Sequence, residues 1–125
     1  MRKQTIINRV EAIITSVVTQ DIEIPLLMTE GIIAYDAIVG VNYDHSPTSL
    51  ILGFKAGVAE YLVSGEASPL AGKPVATSQS LFIPSVYKPF VRVVGGTLGD
   101  KIALFIYGTY YDTHYPINIV SIETE

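Results

Sequence analysis

Two histidines stand beside aspartates, in Asp44-His45 and in Asp112-Thr113-His114. Imidazole and carboxylate together suit a hard or borderline metal, and both pairs fall in segments that read as loops. A cupin-like metalloenzyme would draw on His45 and His114. Neither pair lies in a His-x-His or His-Glu-x-x-His arrangement, and Asp is an ordinary turn residue through its local backbone hydrogen bonds. The expectation is therefore no metal and no cofactor. Ser46, Ser49, Ser64, Ser68, Ser78, Ser80 and Ser85 supply hydroxyls, but none sits in a Gly-x-Ser-x-Gly elbow, and they read as turn and strand-surface residues. Gly95-Gly96-Thr97-Leu98-Gly99 lacks the Lys-Ser/Thr that follows a phosphate loop, and Asp100 would repel a phosphate. A hairpin turn is the expected role, and no catalytic residue is expected anywhere.

The most distinctive local feature is a run of tyrosines, Tyr107, Tyr110, Tyr111 and Tyr115, with His114 among them. Tyrosine buries a large ring while keeping a polar tip, which suits protein interfaces. It also suits a sugar platform, for which Tyr110, Tyr111 and His114 are the candidate contacts. Cross-strand aromatic packing explains the same residues without any ligand.

These residues must be held by a chain of 125 residues, 49% apolar and only 16% charged, without a single cysteine. The length fits one domain over 1–125. So few charges leave a small monomer with apolar patches on its surface, so contact with other copies or a larger assembly is expected. The formal charge of −4 argues against neutralising nucleic-acid phosphates. No run approaches the ~20 apolar residues of a membrane span. Arg9 and Glu11 interrupt the early apolar residues, so the start does not read as an export signal, and no membrane partner is expected.

Ile6, Ile7, Val10, Ile13, Ile14, Val17 and Val18 recur at three- and four-residue spacing. That predicts an amphipathic helix or arm over residues 3–19, although its β-branched residues weigh against a helix. Its exposed stripe makes Ile6, Val10, Ile13 and Val17 interface candidates beside Tyr107, Tyr110, Tyr111, His114 and Tyr115. From residue 21 onward the period changes to that of strands. Strands are expected over residues 22–26, 32–43, 75–83, 90–94, 101–111 and 116–123, the last three as a meander. Residues 48–65 read as two strands, 50–54 and 58–64, turning at Lys55-Ala56-Gly57, in preference to a second helix over 47–64, since Gly53 and Gly57 weaken a helix. Ile102, Leu104 and Ile106 alternate with Ala103, Phe105 and Tyr107, so this strand is apolar on both faces and is expected to lie centrally. The fold class predicted is mainly β: an antiparallel β-sandwich or jelly roll over 21–125 with an N-terminal amphipathic helix, or α+β if the second helix forms.

The stretch from Ser80 to Gly108, with its proline-flanked entry, Phe90 and Arg92, the Gly-rich turn and the apolar strand after it, resembles β-sandwich accessory proteins of tailed-bacteriophage virions. The resemblance covers about thirty residues. It implies a non-enzymatic structural component such as a capsid decoration, head-fibre or connector protein, partnered by copies of itself or by a capsid. It also implies assembly in the host cytoplasm and residence in the virion, and it implies no catalytic residues. The competing reading is a carbohydrate- or small-ligand-binding β-sandwich module.

Overall fold

The computed structural model describes residues 3–25, 30–77 and 79–112. Nine strands occur among them: β1 (Lys3–Ile13), β2 (Thr19–Glu23), β3 (Ile32–Asn42), β4 (Ser49–Ala56), β5 (Ala59–Ala67), β6 (Val75–Ala76), β7 (Leu81–Pro84), β8 (Lys88–Val94) and β9 (Lys101–Tyr111). One sheet, here sheet A, runs β1-β9-β3-β6, with β7 also on β3; the other, sheet B, runs β2-β8-β4-β5. All pairings are antiparallel. β6 meets β3 at Val39–Gly40 and β7 meets it at Ile32–Tyr35, so the two occupy one strand position. Two four-position sheets filled in this order make the strand arrangement of a jelly roll.

The predicted helix over 3–19 does not exist. Lys3–Ile13 is an unbroken strand in register with β9 from Lys3↔Tyr111 to Ile13↔Lys101. The physical reason lies in the spacing: Ile6, Val10 and Ile14 are four apart, a step that keeps one face in a strand as well as in a helix. The β-branched side chains then favour the pleated surface. Even-numbered Ile6, Val10 and Ala12 pack against the core and Ile14 is buried in it, whereas odd-numbered Ile7 and Ile13 face out. The strand is ended by Gln20, whose side-chain oxygen accepts the Thr15 and Ser16 N–H groups (2.7 and 3.1 Å) while its amide donates to the Ile13 carbonyl (3.2 Å). That clasp turns the chain into sheet B.

The two strands expected within residues 48–65 are present, and the alternative helix over 47–64 is not. β4 and β5 form a hairpin closed by Ala56↔Ala59, with Gly57-Val58 as its two-residue loop. Gly57 takes φ +60°, the left-handed conformation that a II′ turn asks of its first central residue. The expected meander is also corrected. β8 and β9 lie in different sheets, so residues 95–100 cross between layers instead of closing a hairpin. This crossover is stitched to the β1–β2 crossover by Gly95 N–H to Val18 C=O (3.1 Å), Gly99 N–H to Ile14 C=O (2.9 Å) and Ile14 N–H to Asp100 C=O (2.8 Å). The strand expected over 75–83 is divided into β6 and β7. The strand expected over 116–123 lies outside the described residues.

The core lies between the sheets. Ile33, Tyr35, Ile38, Ile102, Leu104 and Ile106 come from sheet A, and Ile22, Leu50, Leu52, Phe54, Val91 and Val93 from sheet B. The facing sheet is close at Gly40, where an added Cβ would stand 2.8 Å from Val91 Cγ2 and 3.1 Å from Leu52 Cδ2. β9 sits centrally between β1 and β3, as its doubly apolar sequence predicts. On its outer side Ala103 is fully buried, whereas Tyr107 is 48% exposed.

Candidate functional site

The tyrosine run does not form one platform. Tyr107 and Tyr111 are odd-numbered on β9 and face outward, whereas Tyr110 is even-numbered and packs against the core. The Tyr110 hydroxyl donates to the Glu30 carbonyl at 2.8 Å, tying the end of β9 to the start of β3. Tyr111 ends the strand opposite Lys3 and Ile32. His114 and Tyr115 lie outside the described residues. The helix-face candidates separate in the same way. Ile6 and Val10 serve their own core, while Ile13 and Val17 are half exposed.

What the structure brings together instead is the outer face of sheet A. The cross-strand rows are Ile7–Tyr107–Ala37, Arg9–Phe105–Val39 and Glu11–Ala103–Val41. Ile7 is 73% exposed at the margin of this face. Arg9 lies over the Phe105 ring (5.1 Å to the centroid) and reaches Glu11 at 2.6 Å. Hydrogen bonds to Tyr43 and then Glu11 raise the Arg9 pKa further, so its charge is fixed. These three rows carry one cation, one anion and otherwise apolar or aromatic side chains. Alternation on β9 was legible in the sequence; β1 read as a helix, and the rows formed with β1 and β3 were not legible because both strands are distant from β9 in the chain.

The outer face of sheet B is different in kind. Arg92 on β8 holds Asp21 on β2 through two hydrogen bonds (2.8 and 2.9 Å) and Glu60 on β5 through two more (3.1 and 2.6 Å). Lys55 on β4 reaches Asp21 at 2.7 Å and Glu23 at 3.2 Å. Both cations lie over the Phe90 ring, at 4.8 Å for Lys55 and 5.1 Å for Arg92. Burial alone pushes the Asp21 carboxyl up, but the hydrogen bonds from Arg92 and Lys55 outweigh it and hold the pKa below its ordinary value. Arg92 is raised by its hydrogen bonds to Asp21 and Glu60. Five charged groups thus satisfy one another across four strands. Such a network fixes strand register and has little charge left with which to recruit a ligand.

His45 pairs with Asp100, not with its neighbour Asp44: its Nδ1 stands 2.9 and 3.1 Å from the two carboxylate oxygens. Asp44 instead accepts the Lys101 N–H at 2.8 Å. The Ser46 hydroxyl turns to the Pro47 carbonyl at 3.5 Å. Among the described residues no three His, Asp or Glu side chains gather as a metal cluster. His45 and Asp100 therefore tie the loop after β3 to the start of β9.

A groove of about 360 Å³ opens between the edge of β5 and β7, lined by Tyr61, Phe82, Pro84, Tyr87 and Glu60 among others. Tyr61 is 56% and Phe82 71% exposed. Sequence reasoning missed it because its walls come from two sheets and each aromatic looks like an isolated strand residue.

No family model matches this sequence, and no curated protein matches it. Among solved structures, a chain in a structure of infectious bursal disease virus, Gx strain, is similar over 90% of this chain at 13% identity and a TM-score of 0.44. This chain spans 33% of that one's length. A likeness of this degree identifies neither a family nor a function.

Proposed function

We propose that this chain is a non-enzymatic structural protein that works by assembly with copies of itself, as an accessory component of a virus particle. The finer form of the reading is a tailed-phage capsid-decoration or head–tail protein. The observation that supports it best is the outer face of sheet A, where three cross-strand rows carry only Arg9 and Glu11 as charges. A small soluble domain with so few charges leaves such a face for another protein to cover. The jelly-roll order is used by viral shell proteins and equally by lectins and cupins, so the fold alone does not decide. The test is absolute mass by light scattering after size exclusion, across a concentration series. A defined oligomer is expected. A monomer at every concentration overturns self-assembly.

The second reading is a ligand-binding module, and the groove of Tyr61, Phe82 and Tyr87 is the observation that favours it. The exposed rings of Tyr61 and Phe82 suit stacking on a carbohydrate better than Tyr110 does, because Tyr110 is committed to Glu30. A glycan screen with Tyr61→Ala as the control tests this. A hit lost in that variant, with the fold intact, would displace the assembly reading.

A further inference from the structure

β1 is an edge of sheet A: among the described residues it pairs with β9 alone. Edge strands present unpaired backbone N–H and C=O groups, and proteins usually blunt them with short length, bulges or proline. The other edges here are blunted. β2 has five residues, β5 carries a register shift opposite Leu52/Gly53, and β6 and β7 are two and four residues long, β7 ending in Pro84. β1 is eleven residues long, free of proline and without a register break, and the Arg9 N–H is held by the neighbouring Asn8 side chain (2.8 Å), which a pairing strand would displace.

We propose that two copies of this chain join through β1, antiparallel about a two-fold axis at Val10, so that sheet A continues from one copy into the next. The proposal rests on the assembly reading and names its surface. The argument is in the outward row Ile7, Arg9, Glu11, Ile13. A two-fold at Val10 sets Arg9 against Glu11 of the second copy, and Glu11 against its Arg9. The same axis sets Ile7 against Ile13. Ile7 is 73% and Ile13 47% exposed in the single chain, so each aliphatic side chain gains a cover. Arg9 and Glu11 already meet within the strand at 2.6 Å, and the pairing extends that contact to four alternating charges. Opposite charges and aliphatic pairs directly across a ladder stabilise it, and like charges directly across destabilise it.

The other registers that keep outward residues opposite outward residues are poorer. Axes at Arg9 or Glu11 set a like charge on itself. An axis at Asn8 sets Ile7 against Arg9. An axis at Ile7 pairs Lys3 with Glu11 but leaves Arg9 opposite Thr5 and carries Ile13 past the first residue of β1. The row thus reads as self-complementary about one position.

The experiment measures the dimer dissociation constant by sedimentation for the native chain, Arg9→Glu, Glu11→Arg and the double reversal, with circular dichroism confirming the fold of each. Each single reversal places like charges together twice per dimer and is expected to weaken association at least about tenfold, with the double reversal restoring it. Because the chain has no cysteine, Val10→Cys gives an independent reading that needs no charge change. Opposed residues on antiparallel strands stand about 4.5–5.5 Å apart at Cα, within disulfide range. Mild oxidation with oxidised glutathione should therefore cross-link Val10→Cys to its own copy and leave Ile7→Cys uncross-linked. An oligomer indifferent to both reversals and to residue 10 overturns the edge pairing alone. Cross-linking at Ile7→Cys instead overturns this register. A monomer at every concentration overturns the assembly reading with it.

Discussion

The ring of Tyr35 on β3 lies 5.0 Å, centroid to centroid, from that of Phe54 on β4, with the planes tilted by 48°. The pair bridges the two sheets, and both residues are fully buried. Burial also raises the Tyr35 pKa, since the phenolate cannot be solvated there. The Tyr35 hydroxyl finds no hydrogen-bond partner among the described residues, so its contribution is its ring. Tyr35→Phe should therefore keep the fold and change stability by no more than about 1 kcal/mol, toward greater stability, since an unpaired buried hydroxyl is a cost. Phe54→Ala should cost about 3–5 kcal/mol through lost contacts and the cavity left behind. Chemical denaturation of the two variants checks both values.

Gly40 makes a second demand on the sandwich, since a methyl group there would press on Val91 and Leu52 from the facing sheet. Neither neighbour can swing away from a filled core. Gly40→Ala should destabilise by about 1–3 kcal/mol, the usual range for overpacking, despite the better intrinsic strand behaviour of a non-glycine residue. A melting temperature equal to that of the native protein would show that the layers are further apart than this.

Asp21 links folding to pH. Its carboxyl pKa is lower in the folded chain than its ordinary value of 3.8, so the folded state holds its proton less tightly than the unfolded state does. Stability from the Asp21–Arg92–Lys55 contacts is fully present above the unfolded pKa and is lost as pH falls through the folded one. Denaturant midpoints should therefore decline below about pH 4, and Asp21→Asn should flatten that decline while lowering stability at pH 7. An unchanged acid limb in Asp21→Asn would assign the decline to other carboxylates.

The two faces of β1 should respond oppositely to the same change. Val10 packs against the core and Ile7 does not. Val10→Asp should lose about 2–4 kcal/mol by burying an unpaired charge, whereas Ile7→Asp should stay within about 0.5 kcal/mol in the isolated chain. Thermal melts at low concentration separate the two. Similar losses at both positions would contradict the strand alternation.

By itself the sequence determined the strand-forming segments wherever one period dominated. Lys101–Tyr111 was legible to the residue, because alternating aliphatic and aromatic side chains followed a Gly-rich turn. β3 and β8 came within two residues of the expected spans for the same reason. Residues 3–13 were read as a helix, wrongly, because Ile6, Val10 and Ile14 are four apart, which satisfies both periods, and only pairing with β9 makes them a strand. The tertiary structure alone decided that β8 and β9 belong to different layers, since a Gly-rich connection serves a hairpin or a crossover equally well in local terms. It alone joined Asp21 to Arg92 and Glu60, gathered Tyr61, Phe82 and Tyr87 around one groove, and left β1 as the long regular edge. Those relationships depend on contacts between residues far apart in the chain, and local spacing holds no record of which distant strand a given strand will pair with.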